Sequence, residues 1–148
     1  MGASGWDYYT DYDPDPRAVL ARLHERVLAE GDYYWADDDV PRPATRAELH
    51  SLYEAHEHLA EEGTHSILDI DRIAPAGTRD DFGTIVALSP ERLRAALGTE
   101  RPTRAQFDAV YRGGADLLDD FPRWSGRCAV LYDDDAPAQI VLWGYSGD

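Results

Sequence analysis

The chain has 148 residues, 43% of them hydrophobic, and a formal net charge of −15 from 29 acidic residues against 14 basic ones. That length suits one domain with a core of its own, a single cysteine excludes an intramolecular disulfide, and no stretch approaches the roughly 20 apolar residues of a membrane span. Every basic residue is an arginine, and the acidic excess disfavours nucleic acid and anionic membrane, whose recognition uses basic patches, while favouring encounter with a cationic partner.

In residues 1–15, Trp6, Tyr8, Tyr9 and Tyr12 are interleaved with Asp7, Asp11 and Asp13. Rings suit strands but the aspartates resist them, so this segment reads as an irregular or short extended aromatic-acidic lead. It lacks the basic-then-apolar pattern of a secretory signal, and the expected setting is cytoplasmic. The first helix is well signalled. Asp15 suits an N-cap, Pro16 the first helical position and Gly31 the C-terminal stop, with Val19, Leu20, Leu23, Val27 and Leu28 at helical spacing between them. An aromatic, acidic and proline-punctuated loop follows over 32–43.

Thr45 with Glu48 predicts a capping box and a helix running to Gly63. Its apolar stripe is Leu49, Leu52, Tyr53, His56 and Ala60. From His65 the period changes, and residues 66–73 and 82–88 read as strands. Ser89-Pro90 opens a short helix that Gly98 stops, and Thr103 with Gln106 caps another, which Gly113 and Gly114 break. A further turn of helix is expected over 115–118. Residues 127–132 and 139–143 then form a hairpin, apolar at successive positions and hence covered on both faces. The expected architecture is a single α+β domain of about four mostly antiparallel strands, with a C-terminal β-hairpin, against three to four helices.

Several patterns bear on chemistry. His50, His56, His58 and His65 crowd sixteen residues, but His56 and His58, two apart, point away from each other on a helix, so no metal site is expected. On an alternating strand His65, Asp69 and Asp71 would share a face, a candidate acid–base group for a small enzyme or a small-molecule site. Asp11, Asp13 and Asp15 open like a calcium loop, but Pro16 and Arg22 stand where its glycine and glutamate belong. No nucleophile elbow, P-loop or dinucleotide fingerprint is present, Cys128 sits in an apolar run, and no cofactor is expected.

The strongest functional signal is the pairing of rings with carboxylates. Trp6, Tyr8, Tyr9, Asp11 and Asp13 form one such segment; Tyr33, Tyr34, Trp35, Asp37, Asp38 and Asp39 form another. Tyr and Trp anchor interfaces, and carboxylates beside them steer cationic partners. The sequence therefore favours binding over catalysis: an acidic cytoplasmic protein that neutralises or regulates a basic protein, in the manner of an immunity protein or antitoxin.

Overall fold

The computed structural model describes residues 4–114, 118 and 120–147. The turn expected over 115–118 falls, apart from Leu118, outside them. A mixed five-stranded sheet runs through the middle: β1 (Ser4–Asp11), β2 (Arg72–Ala74), β3 (Thr84–Ala87), β4 (Ser125–Asp133) and β5 (Ala136–Ser146), in the order β1-β5-β4-β3-β2. The class is α+β, as expected. The strand count and pairing differ: β1–β5 and β5–β4 are antiparallel, whereas β4–β3 and β3–β2 are parallel.

The additional strand is the N-terminal segment, where the extended alternative forms and the irregular one does not. Residues 4–11 pair along their whole length with β5, Ser4 opposite Ser146 and Asp11 opposite Gln139. Alternation resolves the conflict between rings and aspartates. Trp6 and Tyr8 turn toward one core cluster, while Asp7 and Asp11 stay exposed.

Helix α1 (Pro16–Glu30) forms as its end signals dictate: Asp15 accepts from the Arg17 N–H at 3.0 Å, and Gly31 closes it in the left-handed region at φ 66°. It lays Val19, Leu20, Leu23 and Val27 on one face of the sheet, beside Ile85, Cys128, Ile140 and Leu142. Each such side chain contributes roughly 1.5–3 kcal/mol on burial. On the opposite face α4 (Pro90–Leu97) and α5 (Arg104–Tyr111) bring Leu93 and Phe107 against Ala129, Leu131, Val141 and Trp143. The two strands of the hairpin are thus covered on both sides. Thr103 and Gln106 form the full reciprocal capping box of α5.

The helix expected to run from Thr45 to Gly63 is broken at His56, whose backbone (φ −134°, ψ 88°) separates α2 (Arg46–Ala55) from α3 (Glu57–Glu62). The break rotates the apolar stripe, so Leu59 is buried and Ala60 exposed. Glu48 bonds the Ala44 N–H instead of that of Thr45. The strand expected over 66–73 is the larger misreading. Ser66 and Asp69 make a capping box that winds Ile67–Asp69 into a 3₁₀ turn, and only Arg72–Ala74 joins the sheet. Local side-chain bonds to the backbone outcompete the strand. Among the described residues no helix is long and apolar enough to cross a membrane.

The hairpin turns at Asp134 and Asp135, both with positive φ (49° and 62°), the geometry of a type I′ turn that Asn-Gly fills best. Replacing Asp135→Gly relieves a left-handed L-residue, and is expected to raise unfolding free energy by about 0.5 kcal/mol in urea denaturation. A loss of stability would contradict this turn assignment.

Candidate binding surface

The first test of the sequence reading is where its rings lie. Trp6, Tyr33 and Trp35 are 7%, 9% and 7% exposed, so these three are core residues and present no docking face. Tyr33 and Trp35 meet edge-on, and the Trp35 indole N–H donates to Val40 O at 2.8 Å. Tyr8 packs half-buried against the same cluster. Tyr9 donates its hydroxyl to Asp108, and burial together with that carboxylate pushes its pKa up to about 12. Asp11, Tyr12 and Asp13 sit at the far end of β1, roughly 24 Å from Ser4 at strand rise. The two aromatic-acidic segments therefore do not merge into one surface.

Tyr34 is different. It is 46% exposed and stacks on His65, ring centroids 4.6 Å apart and planes 20° apart. His65 adopts φ 51°, a left-handed backbone unusual for a residue with a Cβ. Asp37, Asp38 and Asp39 follow in a turn in which the Asp39 N–H bonds Asp37 Oδ1 at 3.0 Å. His58 on α3 lies 2.9 Å from Asp37 Oδ2, and that bond holds the Asp37 carboxyl below its usual range. The contact sets the loop beside the exposed Glu57, Glu61 and Glu62 of α3. No arginine occurs in 27–41 or in 47–71. The two stretches form an acidic lobe with a stacked Tyr–His pair within it, and Arg42, which donates to Gly31 O and Tyr33 O and lies over the Tyr33 ring, stands at its edge.

That lobe is pinned by Asp69. Its Oδ1 accepts from the Thr64 N–H and Oγ1–H, both at 2.8 Å, and its Oδ2 accepts from Ser146 Oγ at 2.6 Å and the Ser66 N–H at 3.4 Å. Thr64 and Ser146 are fully buried. Thr64 O in turn accepts the Tyr34 N–H at 2.9 Å. Trp124, at φ 63°, fits between Gly63 and Gly147: a Cβ on either would fall 2.6 Å or 2.1 Å from its indole. Glycine is required at both.

The proposed His65–Asp69–Asp71 strand face does not exist. His65 stacks on Tyr34, Asp69 is saturated by donors, and Asp71 is exposed and paired with Arg46 at 3.0 Å. Asp69 and Asp71 do line a cavity of about 280 Å³ with Arg46, His50, Tyr53, Phe82 and Trp124. Arg46 is its organiser, donating to His24 Nδ1 (2.8 Å) and Ile70 O (3.2 Å) and lying 3.1 Å from His50. Its Nε and the Tyr53 hydroxyl are buried with no hydrogen-bond partner among the described residues. Asp69 is held by its four donors, and Asp71 reaches Arg46 through Oδ1. Among the described residues no group of three or more His, Cys, Asp or Glu side chains is placed to hold a metal ion. Cys128 is buried, and burial pushes its thiol up to about 12.

Sequence reasoning missed Arg46, Tyr53 and Trp124 as site-builders, because none stands in a local motif. His24 carried a faint signal, a histidine on the core face of α1.

Comparison with protein-family models, with curated protein sequences and with solved structures finds no match for this chain.

His24 yields a pH prediction. It is 7% exposed, its Nε2 lies 3.1 Å from both Ile67 O and Ile70 O, and burial beside the Arg46 guanidinium lowers its pKa from 6.5 to about 4. The imidazole stays neutral in the fold, while the unfolded chain takes up a proton below pH 6.5. Stability therefore falls as pH drops from 6.5 toward 4, by up to about 3 kcal/mol from this group. Urea unfolding of the wild type across that window should show the slope, and His24→Gln should flatten it. An equal slope in both would rule out this role.

Proposed function

We propose that this chain is a non-catalytic binding protein that docks a basic protein through its acidic lobe, in a cytoplasmic setting and without nucleic acid or membrane as its target. The reading rests on one observation: two arginine-free stretches, 27–41 and 47–71, come together around an exposed stacked ring pair. A rigid aromatic anchor costs little side-chain entropy on binding. Carboxylates around it raise the encounter rate with a cationic surface and fix its orientation. Tyr34 supplies the anchor, His65 braces it, and Asp38, Asp39, Glu61 and Glu62 supply the field.

The immunity-protein or antitoxin analogy fits this arrangement, because such inhibitors cover cationic clefts by charge and shape. Binding by the lobe needs no chemistry from the inhibitor. The negative potential that attracts a basic protein repels phosphate backbones and anionic lipid alike.

The test is affinity capture on the intact protein, followed by calorimetry with the isolated partner at several salt concentrations. The captured protein should be basic, and its affinity should fall steeply with ionic strength. Tyr34→Ala is expected to weaken binding about tenfold or more, as loss of an interface anchor does. Asp38→Arg, which reverses charge at an exposed position, should mainly slow association. Binding indifferent to salt and to both substitutions would overturn the proposal.

A further inference from the structure

At the opposite end of the sheet from Tyr34, β2 and β3 stop while β4 goes on. The β3–β4 pairing ends with Ala87 opposite Cys128. The Leu88 N–H adds one bond to Cys128 O at 3.0 Å, and farther along the same edge the Tyr132 N–H bonds Pro102 O at 2.8 Å. Val130 lies between these two points. Backbone groups of residues two apart face the same side of a strand, so the N–H and C=O of Val130 point away from β5 into the gap. Among the described residues no strand covers that stretch of the edge.

The gap opens into a cavity of about 500 Å³. Val19 of α1, Ile73, Leu93 of α4, Cys128 and Ile140 are among the side chains lining it, so both apolar clusters are exposed to one space. Its mouth carries Asp13, Glu100 and Arg101. Glu100 is paired with Arg94, and the Arg101 guanidinium lies 5.8 Å over the Tyr132 ring. Asp13 and Arg101 then balance, leaving no net charge at the entrance.

We propose that this cavity binds a small uncharged molecule with an apolar body and one secondary amide, whose C=O and N–H complete the β4 edge at Val130. Its volume lies within the roughly 300–1,000 Å³ of small-molecule sites. An amide there repeats the pairing by which an added strand extends a sheet. Against apolar walls an unpaired peptide group is costly, so a ligand that pairs with it is favoured over one of equal size that does not. The neutral entrance offers a charged ligand no counter-ion, and the acidic chain further disfavours an anionic one. The site is separate from the acidic lobe, and the proposal stands without it.

The experiment is a titration of the full ¹⁵N-labelled chain, followed by amide chemical shifts, with N-benzylhexanamide, benzyl hexanoate and hexanoate. The amide should saturate with its largest shift at the Val130 N–H. The ester, which keeps the apolar body but has no N–H to donate, should bind about tenfold more weakly, as the loss of one hydrogen bond implies. Hexanoate should be weaker than both. Leu93→Trp, which fills the cavity, should abolish the titration. Equal affinity for amide and ester, an unmoved Val130 resonance, or no saturation by the amide in the wild type would each overturn the proposal.

Discussion

The carboxylate of Asp69 is the junction on which this structure depends. It gathers donors from the Thr64 backbone and side chain, from the Ser66 backbone and from Ser146 at the end of the last strand. Thr64, Ser66 and Ser146 are each no more than 1% exposed, so their polar groups have no recourse to water. Bonds from neutral donors to a charged acceptor are about twice as strong as neutral pairs. Removing the acceptor would strand several buried groups at once. The node also joins distant parts of the chain: the 3₁₀ turn, the end of α3 and the C-terminal edge of β5.

From that node the functional surface follows by short steps. Asp69 holds Thr64, Thr64 O holds the Tyr34 backbone, and the left-handed turn at His65 lays its ring on Tyr34. Fixing an exposed ring in this way lowers the entropy lost when it is buried by a partner. Charge is distributed to match. Among the described residues, Arg46–Asp71 is the one arginine–carboxylate pair in the first half of the chain; the others, such as Arg127–Asp80 and Arg92–Asp120, lie between residues 80 and 127. Arginines neutralise carboxylates there, and the lobe of α3 and the 32–41 loop keeps its charge.

What could be read from the sequence were features whose physics is local. The caps at Asp15, Thr103 and Ser89 and the stops at Gly31 and Gly98 need only neighbouring residues, and all form. The hairpin's doubly apolar strands announce two covered faces. The misreadings arise where a local and a distant influence compete. Ser66 and Asp69 look like strand residues until their capping box is considered, and that box was legible in the spacing. The aspartates of β1 obscured an alternation that a strict period-two count would have found. Trp6, Tyr33 and Trp35 could not be separated from Tyr34 by composition, since a ring suits a core and an interface equally well. Arg46, Tyr53 and Trp124 meet only through tertiary packing, so nothing in their neighbours marks them.

The Asp69 carboxylate holds the Tyr34–His65 surface in shape. Native-state hydrogen exchange on wild type and Asp69→Ala tests it most directly. In the variant the amides of Tyr34, Thr64, Ser66 and Leu68 are expected to lose protection together, while those of Ala129, Leu131 and Val141 in the doubly covered hairpin keep more of theirs. Unchanged exchange at Tyr34 and Thr64, or a loss spread evenly over the sheet, would contradict it.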